Sequence, residues 1–184
     1  KFLEINKSLV NNQDKFLELI LSLTSYLKLF SSLKRFLEYV SLVSKYFTNQ
    51  EFSLLVPLDE KGRIWSENIC FSDNKLRDQN ILDLLNYCNK NGLFNKFKLK
   101  NISIFEKFLE ENFDSFIFKT YKIISRGKCR GFFYVFYKNS DHQKFESDIN
   151  KTNILVNLLA VGIENYSLLK INKKHENVDR EISS

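Results

Sequence analysis

Phe116-Ile-Phe-Lys-Thr-Tyr-Lys-Ile-Ile-Ser-Arg-Gly-Lys-Cys-Arg-Gly-Phe-Phe-Tyr-Val-Phe-Tyr137 decides the fold. β-Branched and aromatic residues crowd both halves, and such side chains suit a pleated, half-buried chain. Ser125-Arg126-Gly127-Lys128 interrupts them as a hairpin turn. Ser115 to Ile124 and Cys129 to Tyr137 are therefore expected to pair as antiparallel strands.

Working upstream, Ser103-Ile-Phe-Glu106 has the form of a capping box, in which Ser103 accepts from a backbone amide and Glu106 reaches back. It is expected to open a short helix carrying Phe105, Phe108 and Leu109. Lys96 to Lys100 reads as a short strand. Lys75 to Asn91 reads as a helix closed by Gly92. Glu51 to Pro57 alternates, with Phe52, Leu54 and Val56 on one side. Asp59-Glu-Lys-Gly62 is a turn, and Arg63 to Phe71 reads as the returning strand. Leu33 to Phe47 is an amphipathic helix whose apolar face is Leu33, Phe36, Leu37, Val40, Val43 and Phe47.

Both ends read as long helices. In residues 1–27, Phe2, Leu9, Phe16 and Leu23 recur every seven positions, with Ile5, Asn12, Leu19 and Tyr26 as the offset seam. Asn12 is a polar seam residue of the kind that sets register. From about Ser147 one helix runs to the end. Its first part is densely apolar (Ile149, Val156, Leu159, Ala160, Ile163). Beyond Tyr166 only the stripe Leu168, Ile171, His175, Val178 and Ile182 remains. A dense face that narrows to a stripe predicts a helix leaving the domain as a coiled coil. The expected division is a helix over 1–31, a domain over 32–169 and an exit helix over 170–184. The chain opens at Lys1 and closes inside a helical pattern, and reads as a piece of something longer.

Composition supports this α+β reading. With one Pro and five Gly, the chain lacks the turns of a many-stranded sandwich or barrel. Its 18 Phe, with abundant Asn and Lys, reflect AT-rich codons before they reflect function. The net charge of +6 arises from 28 basic and 22 acidic residues, interspersed rather than clustered. That pattern is a solvated surface, not a nucleic-acid interface. No signal peptide and no apolar run long enough to cross a membrane is present. Cys70, Cys88 and Cys129 are odd in number and widely spaced, as expected of reduced thiols in the cytoplasm.

The order of elements and several strings resemble the GAF domain family. Phe52-Ser-Leu-Leu-Val-Pro-Leu-Asp59 ends a helix–strand entry, and Gly62-Arg-Ile64 a hairpin. Asn91-Gly-Leu-Phe94 is a small turn, and Arg126-Gly-Lys-Cys-Arg-Gly131 marks the second hairpin. Phe145-x-x-Asp148 and Leu158-Leu-Ala160, then Ile163-Glu-Asn165, fall in a closing helix. The resemblance covers about 32–169. It implies an antiparallel sheet with the terminal helices packed on one face and a small-molecule pocket on the other. Aromatics that would line such a pocket are Trp65, Phe97, Phe105, Phe108 and Tyr121. The usual Pro is absent from Phe116 to Lys122, and Ser72-Asp-Asn74 replaces a Gly-containing loop. Those departures favour core packing at these aromatics.

Catalysis has no residues to stand on. His142 and His175 are far apart and no Cys pair has ligand spacing, so neither a metal nor any other cofactor is expected. No Cys-His pair suits a bilin, and the Asn95-Lys96 start of a cyclic-nucleotide pattern is not continued at the required spacing. A sulfoxide reductase of GAF type would need Cys70 and Cys88 to meet as low-pKa thiols. The expected function is that of a sensor or regulatory module, not an enzyme. It would be a homodimer through seams at Phe2, Ile5, Leu9, Asn12, Phe16, Leu19 and Leu23 and at Leu168, Ile171, His175, Val178 and Ile182. Its exit helix would pass a signal to an output domain in the same chain. The tail from Lys174 resembles linkers that precede bacterial serine phosphatases, with a histidine kinase as the next choice. A dimerisation domain with a filled, ligandless core is the alternative.

Overall fold

A computed structural model describes residues 14–23, 32–73, 77–95 and 98–182. The elements in order are α1 (14–23), α2 (Leu33–Phe47), β1 (Phe52–Pro57), β2 (Cys70–Phe71), α3 (Arg77–Lys90), α4 (Ile102–Asn112), β3 (Phe116–Ser125), β4 (Lys128–Lys138) and α5 (His142–Ile182). The α+β class stands. One four-stranded antiparallel sheet has the order β2-β1-β4-β3.

The hairpin forms where the sequence places it. Arg126 and Gly127 both have positive φ, 48° and 73°. That is the twist a two-residue loop needs to match its strands. Just inside the turn the register slips: Ile123 faces Gly131 while Ile124 faces Cys129. Arg130 is thus the extra residue of a β-bulge, which re-aims its side chain.

β1 is buried along its length and β4 from Gly131 to Tyr137, because both faces of the sheet are covered there. On one face α1, α2 and α5 enclose Phe36, Leu37, Val40, Leu55, Phe133, Val135, Leu155, Leu159 and Ile163. On the other, α3 and α4 enclose Phe52, Leu54, Val56, Leu84, Phe105, Leu109, Phe132, Tyr134 and Phe136. Alternation along β4 explains the split, since successive side chains point to opposite faces.

Four local expectations are corrected. The Arg63–Phe71 strand is broken: Ile64 bridges Leu58, but Ser66–Asn68 make a 3-10 turn and only Cys70–Phe71 pair with β1. The turn forms because Trp65 donates its backbone N–H to Pro57 and accepts from Asn68, which takes the chain off the sheet. No strand forms over 98–100, where Leu99–Asn101 wind as a 3-10 turn directly into α4. Lys96 and Phe97 lie outside the described residues. Ser103 is consequently inside α4 and not its cap; the helix starts at Ile102 and its cap residue Asn101 makes no side-chain bond. Glu106, released from capping, accepts from the Thr120 hydroxyl at 2.7 Å and ties α4 to β3. Finally, α5 begins at His142, a turn earlier than expected.

Two helix ends are capped, the second as the sequence led one to expect. Ser32 caps α2 by accepting from the Arg35 N–H. Gly92, at φ 65°, closes α3: its N–H donates to Asn89 while Leu93 N–H reaches Cys88. That paired 5→2 and 6→1 arrangement satisfies the last carbonyls of the helix.

Candidate functional site

The feature with most consequence for function is the seating of α5. At 41 residues it is about 60 Å long, against about 37 Å for the 11-residue β4. It cannot lie wholly on the sheet. Ser167 is the last buried residue described on it, and Leu168, Leu169 and Lys170 are exposed.

Four anchors hold the seated part. At its start, Asp148 is 1% exposed and accepts from Asn49 N–H (2.7 Å), Asn49 Nδ2 (3.1 Å) and Tyr137 Oη (3.3 Å). Lys151 Nζ donates to the Phe47 carbonyl at 3.0 Å, closing the last turn of α2 onto α5. In the middle, Gly162 lies directly against the Phe36 ring of α2, where a Cβ would overlap the ring.

The third anchor is Glu164. Its carboxylate accepts from the Ser125 hydroxyl and pairs with Arg126 Nε (3.3 Å) and Arg130 Nη2 (3.3 Å). The two-residue loop brings Ser125 and Arg126 to the helix, and the bulge delivers Arg130. The Ser125 bond, then the charges of Arg126 and Arg130, hold the Glu164 carboxyl below its ordinary 4.5 while burial opposes them. A carboxyl depressed on folding contributes stability that is complete above its unfolded pKa and lost as pH falls through the folded one. Wild type should therefore be more stable than Glu164→Gln at neutral pH. The lead should shrink as pH falls below about 4.5, measured by urea unfolding from pH 7 to 3. A lead unchanged at pH 3 would show that charge plays no part.

The last anchor sits where α5 leaves the body. Lys170 Nζ lies 4.8 Å from the centre of the Trp65 ring, a cation–π contact. Around them Asp59, Glu60, Lys61 and Arg63 form a polar recess of about 100 Å³. Asp59 organises the loop by accepting from Lys61 N–H, Arg63 N–H and Arg63 Nε.

The expected pocket aromatics do not converge. Trp65 and Tyr121 pack against the terminal-helix core, whereas Phe105 and Phe108 belong to the core under α3 and α4. Phe97 lies outside the described residues. The α3–α4 face is filled with rings: Phe52 stacks on Phe136 at 4.3 Å, Phe105 on Tyr134 at 5.4 Å, and Phe113 lies 5.3 Å from Phe136. The Tyr134 hydroxyl is buried there without a hydrogen-bond partner among the described residues, and burial holds its pKa well above the ordinary range.

The expected seam is divided too. Phe16 and Leu23 are buried in the chain's own core, with Phe16 edge-on to Phe47 at 5.2 Å, and Leu19 is half-buried. Phe2, Ile5, Leu9, Asn12 and Tyr26 lie outside the described residues. Leu168 is 43% exposed. Ile171, His175, Val178 and Ile182 are on the helical backbone of α5, their side chains outside the described set. What α1 and α2 present outward is an apolar groove of about 520 Å³ between Lys15, Leu19, Tyr39, Leu42, Val43 and Tyr46. Tyr46 is 81% and Leu42 54% exposed. The seven-residue repeat pointed to a buried seam but could not say that α2 fills it.

Cys70 belongs to the terminal-helix core and Cys88 to the opposite one, and burial pushes both thiols up to about 12. The thiol pair a reductase needs is not assembled. Among the described residues there is no group of three or more His, Cys, Asp or Glu able to hold a metal, and no helix long and apolar enough to cross a membrane. Compared with known proteins, the chain matches no family model, no curated protein and no solved structure.

Proposed function

We propose that this chain is a cytoplasmic regulatory module of GAF type. It forms a homodimer and passes a change in the seating of α5 to an output domain farther along a longer chain. A serine phosphatase is the favoured output and a histidine kinase the next. The observation that carries the reading is α5 itself: anchored at four points along the body, and continuing as helix to Ile182, past Ser167, the last buried residue described on it. Such an element transmits when two seatings differ by a few kcal/mol and the input favours one. The exposed apolar groove of α1 and α2 supports association between copies.

The ring-filled α3–α4 face favours a second reading, a dimerisation domain with no ligand. Sedimentation velocity should show a dimer that dissociates on dilution, with Tyr46→Glu and Leu42→Glu shifting it to monomer at least about tenfold more readily. A strict monomer at high micromolar concentration defeats both readings. Dimerisation with no thermal shift across a metabolite and nucleotide screen leaves the ligandless one.

A further inference from the structure

The two ends of the sheet are unequal. β2 has two residues, whereas β3, at the other end, has ten and no Pro. The phase of the ladder is set by Leu58 N–H donating to the Arg130 carbonyl. From there, Phe132, Tyr134 and Phe136 bond toward β1, and Phe133, Val135 and Tyr137 toward Tyr121, Lys119 and Ile117. The main-chain groups of Phe118, Thr120 and Lys122 therefore point away from β4. None has a backbone partner elsewhere among the described residues.

Side chains along this edge are also incompletely covered. Phe118 and Tyr121 are half-buried while their β4 partners Phe136 and Phe133 are fully buried, and Ile124 is 54% exposed. A long open edge is a template for another strand. Its charge selects which. Lys119 and Lys122 are exposed on it, and Arg126 and Lys128 extend the basic surface around the turn. The nearby carboxylates are engaged, Glu106 with Thr120 and Glu164 with Ser125, Arg126 and Arg130. A second copy pairing antiparallel with Thr120 opposite Thr120 would make the two Lys119 side chains diagonal neighbours on one face, a like-charge contact.

We propose that the outer edge of β3 takes up an extended, acidic segment of a partner protein as a fifth strand. Main-chain bonds to Phe118, Thr120 and Lys122 supply the affinity and Lys119 and Lys122 the preference for acid. The assignment does not depend on the function of α5.

The test uses a capped ten-residue peptide of Glu-Glu and Val-Val pairs, which presents glutamate on both faces of the added strand, titrated by fluorescence anisotropy, with hydrogen exchange read over 116–125. Saturable binding is expected, weakened by salt, with slowed exchange confined to that strand. Lys119→Glu with Lys122→Glu should weaken it about fivefold or more. A lysine–valine peptide, and a glutamate–valine peptide N-methylated at alternate residues, should not bind. Equal binding of the N-methylated peptide, protection elsewhere, or no binding overturns the proposal. Protection of 116–125 that rises with protein concentration and without peptide also overturns it, in favour of self-pairing.

Discussion

Gly162→Ala is expected to lower unfolding free energy by about 3 kcal/mol, although alanine is the better helix former by about 1 kcal/mol. The added methyl has nowhere to go: it would enter the Phe36 ring, which is fully buried and flanked by Tyr166 at 6.4 Å between centroids. Either α5 lifts from α2 or the ring leaves its rotamer, and both disturb the seating of the long helix. The cause is separable from propensity by a double-mutant cycle. Phe36→Ala alone should cost about 3–5 kcal/mol through the cavity it leaves. In that background Gly162→Ala should be close to neutral or mildly stabilising, because the clash is gone and the propensity remains. Urea unfolding of the four proteins measures the coupling. If the two substitutions simply add, the close approach is not what requires glycine.

The second large effect is at Asp148. Replacement by alanine removes the acceptor of three donors, Asn49 N–H, Asn49 Nδ2 and Tyr137 Oη, in a place water reaches poorly. Losing bonds to a buried charged acceptor and stranding its donors costs about 3 kcal/mol, or roughly 6–12 °C in Tm for a chain of this size. Asp148→Asn should cost about half as much, since one carbonyl oxygen survives while the amide group faces a donor. Tyr137→Phe in the alanine variant should recover part of the loss by removing one stranded hydroxyl. A loss below about 1 kcal/mol for alanine would mean water replaces the carboxylate there.

These two anchors lie on one helix, at 148 and 162, with Glu164 and Lys170 beyond them. Regulation by α5 would act through them in order. The Glu164 cluster and the Trp65–Lys170 contact are the ones nearest the exit and the most exposed to solvent and salt. Trp65 is the chain's single tryptophan, so the protein's tryptophan fluorescence reports on the surroundings of this ring, Lys170 and Glu67 among them.

Much of the fold was legible in residue order. Local chemistry wrote the β3–β4 hairpin, because only a loop such as Arg126-Gly127 twists the way the strands require. The α2 face, the Gly92 closure of α3 and the length of α5 are likewise matters of periodicity and capping within a few residues. Where the reading failed, a neighbour distant in sequence had decided. Ser103 and Glu106 satisfy the capping-box pattern, yet Thr120, fourteen residues on, holds Glu106. Arg63–Phe71 has strand composition, but the Trp65–Pro57 bond turns it off the sheet. Phe16 and Leu23 repeat like a dimer seam, and nothing in a period of seven says whether α2 or a second copy fills it.

The candidate site divides the same way. That a long helix closes the chain follows from the sequence by itself, because amphipathic period and length are properties of neighbouring residues. Which of its residues are held is tertiary. Gly162 needs Phe36, Asp148 needs Asn49 and Tyr137, and Glu164 needs a bulge that aims Arg130 and a loop that presents Ser125. Each depends on segments 11 to 126 positions away, brought together only when both faces of the sheet are covered.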